Sequence, residues 1–339
     1  MTRSGLLLFS TLVLVSAHLV SAQRNRYAYS RTGESANITV KSRAGFALMG
    51  GGTDLDEAFQ FLCDRADGGD MLVLRARGDD EYNGYLRAIC HLNSVATLVI
   101  PSREAAEDPF VAETIGHAAA IFIAGGDQAN YIEFWMNTPV QTALNEAIRR
   151  GVPIGGTSAG LAVMGEYAYS AQGDKPDDPN LDSKTALADP FGPRISLARG
   201  FLDIPTLKGI ITDTHFKRRD RMGRLLVLLA RLNEPDTKSL PINSHHVRGI
   251  GVEERAALLL EPEGRAKVVG YGNAYFIEAD HASGTPQKGK PLTYGPFVVQ
   301  KVAPGSAFYT KSWAGDAISY KLTVEAGRIR STQTANEIY

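Results

Sequence analysis

Two cysteines in 339 residues, Cys63 and Cys90, exclude a disulfide-dense scaffold, and neither has metal-knuckle spacing. Both fall in expected helices, which leaves one disulfide and a pair of buried free thiols equally open. Charge of one sign is also missing: 36 Lys and Arg stand against 37 Asp and Glu. Binders of nucleic acid or of anionic surfaces need a marked positive excess, so no nucleic-acid partner is expected. The chain has no internal repeat and no low-complexity tract. Gly50-Gly51-Gly52 is not a G-x-G-x-x-G fingerprint, so a close turn is expected there and a nicotinamide cofactor is not. Beyond residue 22 no apolar run is long enough to cross a bilayer.

What is present begins with an export-signal pattern. Arg3 supplies the positive end, Leu6 to Val15 is apolar except for Ser10 and Thr11, and Val20-Ser21-Ala22 fits small-x-small cleavage before Gln23. The expectation is a signal peptide over 1–22 and a secreted or periplasmic product with no membrane attachment after cleavage; an uncleaved anchor is the alternative. Residues 23–44 are polar and irregular, a surface arm with a glycosylation sequon at Asn37-Ile38-Thr39. The hydrophobic share of 44% suits a globular chain.

From residue 45 short apolar runs alternate with amphipathic ones. Phe46–Met49, Met71–Leu74, Ala96–Ile100, Ala119–Ala124 and Val152–Ile154 read as strands; Ala58–Cys63, Tyr82–Cys90 and Tyr131–Arg150 read as helices. This rhythm predicts an α/β fold, a parallel sheet with helices on both faces and ligands beyond the carboxyl ends of its strands. Residues 169–199 form a polar, proline-bearing loop. Order returns with a strand at Gly209–Thr212 and a helix over Arg219–Arg231, and the chain turns β-rich from residue 249.

Chemistry concentrates at the strand ends. Gly156-Thr157-Ser158-Ala159-Gly160 follows a strand and precedes a helical stretch, a turn that displays a serine hydroxyl and frees backbone N–H groups. A serine nucleophile needs a base oriented by a carboxylate. Among His91, His117, His215, His245, His246 and His281, His215 stands directly after a strand and is expected at the same sheet edge as Ser158; His245 and His246 rank next. Gly125-Gly126-Asp127-Gln128 ends another strand, so Gly125 and Gly126 with Ala159 are the expected oxyanion donors, while Asp127 either caps the next helix or meets substrate.

These motifs together resemble the cyanophycinase and dipeptidase E family of serine peptidases (peptidase family S51), the cyanophycinase branch most. The resemblance rests on Ser158 in Gly-Thr-Ser-Ala-Gly, the upstream Ala-Gly-Gly-Asp-Gln, Asp213-Thr214-His215-Phe216 followed by Arg219, Arg221 and Arg224, and Gly249-Ile250-Gly251-Val252-Glu253-Glu254. It spans about residues 45–278, leaving 279–339 as a β-rich C-terminal extension. It implies a class-I glutamine-amidotransferase-like fold and a Ser–His–acid exopeptidase needing no metal or organic cofactor. Ser158 would be the nucleophile, His215 the base and Gln128 a substrate contact. The cyanophycinase pattern puts the acid at Glu254. The dipeptidase E pattern puts it at Asp174, with Asp177, Asp178, Asp182 and Asp189 as further rivals.

Cyanophycin joins arginine to the β-carboxyls of a polyaspartate backbone, so the resemblance implies a cyanophycin-like polymer or aspartyl peptide as partner. Asp213, Arg219, Arg221 and Arg224 would be its contacts. Lys217, Arg218, Arg219, Arg221 and Arg224 crowd the first turns of the expected helix, where they either clamp carboxylates or form a solvated face. Thr214 departs from the glutamine usual between the Asp and His of this motif, which leaves room for another aspartyl peptide. A homodimer stays open. The rivals are an α/β-hydrolase esterase, which would use the late His281, and an inactive binding protein of the same fold.

Overall fold

The computed structural model describes residues 26–174, 177–178, 180–234 and 246–339. The expected signal peptide and His245 lie outside the described residues. The chain runs β1 (Ala28–Gly33), β2 (Phe46–Met49), α1 (Asp56–Cys63), β3 (Asp70–Arg75), α2 (Glu81–Ile89), β4 (Ser94–Val99), α3 (Arg103–Ala106), α4 (Pro109–His117), β5 (Ala120–Ile123), α5 (Gln128–Trp135), α6 (Pro139–Arg150), β6 (Ile154–Thr157) and α7 (Ala159–Ala162). It continues through β7 (Tyr167–Tyr169), α8 (Ser183–Ala188), β8 (Leu197–Arg199), β9 (Ile210–Asp213) and α9 (Met222–Leu232). Strands follow: β10 (Arg248–Val252), β11 (Ala256–Leu260), β12 (Arg265–Gly270), β13 (Ala274–Ser283), β14 (Tyr294–Val302), β15 (Ala307–Tyr309), β16 (Ala314–Gly315), β17 (Ile318–Glu325) and β18 (Arg328–Ser331).

Local chemistry sets several boundaries. The stretch expected as one helix over Tyr131–Arg150 is two helices. Asn137 is left-handed at φ 59°, Thr138 accepts from Val140 N–H, and Pro139 opens α6 where a missing N–H costs nothing. Gly151, also left-handed, closes α6. Residues 23–44 are more than an arm, since β1 pairs antiparallel with β4 as an edge strand. The Lys217–Arg221 cluster lies in a turn before α9, with only Arg224 inside the first helical turn.

The α/β architecture is present, but among the described residues the strands divide between two sheets. The first has the order β1-β4-β3-β5-β6-β2-β11-β12-β15-β16 and the second β18-β17-β14-β13-β10-β9-β7-β8. In the first, β4, β3, β5, β6 and β2 are parallel and β11 returns antiparallel beside β2. In the second, β7, β9 and β10 are parallel before the antiparallel β13 and β14. The β-rich C-terminal part is therefore built onto both sheets, and the boundary expected after residue 278 falls inside β13.

Apolar faces hold the layers. Leu48, Ile154 and Leu258 of the first sheet share one buried core with Ile250 and Phe276 of the second, with Trp135 and Leu144 beside them. Phe59, Leu62 and Leu86 cover the outer face of the first sheet, and Leu225, Leu228 and Leu229 of α9 cover the second. Burying each such side chain is worth roughly 1.5–3 kcal/mol. Cys63 and Cys90, at the ends of α1 and α2, face each other across 5.9 Å between Cα atoms and form a disulfide. Of the two states left open by the sequence, the bridged one is present.

Candidate active site

Ser158 leaves β6 in a sharp turn at φ 52°, ψ −116°, a conformation that costs a non-glycine residue of order 1–3 kcal/mol. Two contacts hold it. Ser158 N–H donates to Met49 O at 3.1 Å. Gly160 packs so close to β5 that a Cβ there would come within 2.0 Å of Ile123 O. Only glycine permits that approach.

His215 leaves β9 with φ 47°, again left-handed, and Glu254 follows β10. The expectation of a shared sheet edge is corrected: Ser158 stands at the end of a strand in the first sheet and His215 at the end of one in the second. The two ends nevertheless meet. Ser158 Oγ lies 2.7 Å from His215 Nε2, and His215 Nδ1 lies 2.7 Å from Glu254 Oε1. A carboxylate only accepts, so Nδ1–H donates to Glu254 and Nε2 is left to accept from the serine hydroxyl.

The end of β2 links all three segments, a role the sequence did not signal. Met49 O accepts from Ser158 N–H, Gly50 O from His215 N–H at 2.8 Å, and Gly51 O from Arg255 N–H at 2.9 Å. Gly51, at φ +95°, faces the imidazole; a Cβ there would lie 2.4 Å from His215 Cε1. The triple glycine is thus the seat of the histidine ring.

His215 is only 5% exposed. Burial pulls its basicity below the usual imidazole range, Glu254 opposes this through its hydrogen bond, and the guanidinium groups of Arg219 and Arg221 pull it down further. The net direction is down, so the ring is neutral near pH 7 and able to accept a proton.

In front of Ser158 opens a cleft of about 850 Å³ lined by Gly125, Gly126, Gln128, Thr214, Arg219 and Arg221, with Arg77, Glu133 and Asp174 also on its walls. A Cβ at Gly125 would lie 3.6 Å from Ser158 Cβ, and Tyr131 Oη donates to Ala124 O at 2.9 Å, fixing that loop. Among the described residues no acceptor takes up the N–H of Gly125, Gly126 or Ala159. Asp127 caps α5 by accepting from Ala129 N–H at 2.9 Å.

The polar residues divide sharply. Arg219 is exposed on the cleft. Arg221 also lines it but is buried, its Nη1 donating at 3.0 Å to both Thr214 O and Thr214 Oγ1 and its Nε to Asn180 Oδ1 at 3.1 Å. Asp213 and Arg224 do not reach the cleft, which corrects their expected role as substrate contacts. Each is 1% exposed, and they pair with each other, Arg224 Nε donating to Asp213 Oδ2 at 3.0 Å, because two buried charges need one another as partners.

The rival acids are engaged elsewhere. Asp174 accepts from Tyr169 Oη and Arg194, Asp178 from Arg194, Asp182 caps α8, and Asp189 accepts from Phe191 and Gly289 N–H. Asp177 is exposed on the same loop. His246 Nε2 contacts Ala279 O at 2.5 Å, and it shares with His281 a cavity lacking Ser158, so neither late histidine joins the serine.

Parts of the chain are similar to known proteins. Residues 80–188 match the model of Peptidase family S51. A cyanophycinase of Trichormus variabilis is 30% identical over 222 residues, which cover 63% of this chain and 65% of that relative. A cyanophycinase of Synechococcus elongatus is 28% identical over 249 residues, covering 70% and 69%. The chain thus spans just under two thirds of the first of these relatives. A solved peptidase from an acI-B1 Actinobacterium superposes with a TM-score of 0.50 at 18% identity, covering 79% of this chain and 98% of its own, a likeness of fold. At the level of sequence the chain is cyanophycinase-like.

Proposed function

We propose that this cyanophycinase-like chain is an exported serine exopeptidase-type hydrolase that cleaves a β-aspartyl-arginine polymer or a related aspartyl peptide. Ser158 Oγ attacks the carbonyl carbon while its proton passes to His215 Nε2, and Glu254 stabilises the imidazolium that results. The tetrahedral oxyanion is held by the N–H of Ala159 and an N–H of the Gly125–Gly126 turn. His215 returns the proton to the departing amine, and water then releases the acyl group by the same route.

The single observation that supports this reading best is the unbroken hydrogen-bonded series from Ser158 through His215 to Glu254 at the mouth of the cleft. Aspartyl specificity is supported by the cyanophycinase relatives and by Arg219, an exposed cation on the cleft; Gln128 offers an amide on the wall of the same cleft. Export is supported by the N-terminal signal pattern and the Cys63–Cys90 disulfide.

The test is product analysis by mass spectrometry after incubation with cyanophycin and with panels of β- and α-aspartyl dipeptides. Release of β-Asp-Arg or of free aspartate is expected from the wild type. Ser158→Ala should retain the fold and lose hydrolysis by about 10⁴-fold or more. Undiminished turnover in that variant would sink the mechanism.

A further inference from the structure

Resting on that functional reading, we propose that Tyr339 is a positioning residue for the cleft: it fixes the turn between His215 and α9, and through it Arg219. This turn is demanding. It opens at His215 with φ 47° and ends near Asp220 with φ 45°, two left-handed residues that are not glycine, so it needs support from outside itself. The N-cap residue of the helix it feeds, Arg221, can donate but not accept; Ser183 Oγ takes Gly223 N–H at 2.8 Å, which leaves Met222 N–H still to be met.

Tyr339 supplies what is missing. Its Oη accepts from Met222 N–H at 2.9 Å, taking the first orphan donor of α9, and donates to Asp220 Oδ1 at 3.0 Å. Its ring stands edge-on to Phe216, the residue after His215, with centroids 5.9 Å apart, and to Tyr275 at 6.0 Å. Tyr275 Oη in turn donates at 2.6 Å to Glu253, the neighbour of Glu254. The hydroxyl thus holds the arginine-bearing turn, and the ring braces the segments that carry the histidine and the acid. The two parts of one side chain therefore have separable effects.

The experiment compares Tyr339→Phe and Tyr339→Ala in the full chain, using amide exchange, steady-state kinetics on an aspartyl peptide, and the rate of Ser158 labelling by a fluorophosphonate. In the phenylalanine variant, which loses both hydrogen bonds of the hydroxyl, exchange at Met222 and across 216–221 should quicken about tenfold or more and KM should rise about as much. Its kcat and labelling rate should stay within about twofold, whereas the alanine variant should also lose kcat and labelling. Unchanged exchange and KM in the phenylalanine variant would overturn the proposal, and so would a fall in kcat and labelling with KM intact. Should the wild type cleave no peptide, the functional reading fails, and the exchange rates alone decide the role of Tyr339.

Discussion

At the scale of single residues the pivotal group is His215, whose environment sets when the site can work. Burial is the largest influence, and the net effect places its folded pKa at about 4, below the ordinary 6.5. Between those values the unfolded chain binds the proton and the folded chain does not. The contribution of this residue to stability is therefore complete above about 6.5 and is lost as pH falls through about 4. The same sign governs activity, since the neutral ring is the base. The acid limb of kcat/KM should lie well below 6.5 and toward 4; a limb at or above the ordinary value, measured on peptide and neutral ester alike, would contradict this environment. Glu254→Gln removes the carboxylate that opposes the downward pull, so its limb should move lower still. Its kcat should fall about 10²- to 10⁴-fold, because the imidazolium loses its counter-charge. Ser158 and His215 were legible as reactive residues because each stands at the end of an expected strand, where a parallel strand delivers side chains to a crevice. Glu254 was not legible in that way. It was reached through resemblance to a family, and nothing in its local sequence separates it from Glu253, which instead accepts from Tyr275 and Asn273.

At the scale of elements, the end of β2 explains how four strand ends from two sheets come to one point. Register carries the argument: Met49 lies opposite Thr157 and Gly251 opposite Asp213, so each parallel pair ends level. The hydrogen bonds from Met49, Gly50 and Gly51 then tie the serine, histidine and acid segments together. Gly51→Ala should push the His215 ring away from Ser158, since its Cβ would lie 2.4 Å from the ring, and should reduce kcat by at least about 10²-fold. Gly68→Ala is the matched control: it has a similar positive φ of +75° but open space around it, so it should cost stability without affecting kcat. Equal kinetics in the two variants would show that the triple glycine does not seat the ring. From sequence this turn read only as a tight bend, because its role depends on strands more than a hundred residues away. The Asp213–Arg224 pair shows the same limit: the family resemblance implied substrate contact, while their mutual burial is a tertiary fact.

At the scale of the whole molecule, the βα rhythm of the first half gave the parallel strands and their helices, and the period-two pattern after residue 249 gave the β-rich part. What periodicity could not give was the division into two sheets, since an apolar run specifies a buried strand but not its neighbour. The same limit hid the disulfide, because two helices of known length say nothing about which way their ends face. That bridge lends itself to a final test. It closes a separation of 27 residues on the outer face of the first sheet, at the end of α1 remote from Gly50–Gly52. Loop-closure entropy for such a span is about 3–4 kcal/mol. Reduction, or the Cys63→Ala/Cys90→Ala pair, should therefore lower the urea midpoint while leaving Ser158 labelling by a fluorophosphonate intact in the folded protein. A midpoint unchanged by reductant would mean that the bridge restrains nothing in the unfolded chain. Loss of labelling with the fold retained would mean that the outer layer and the site are coupled, against the layering that separates them here.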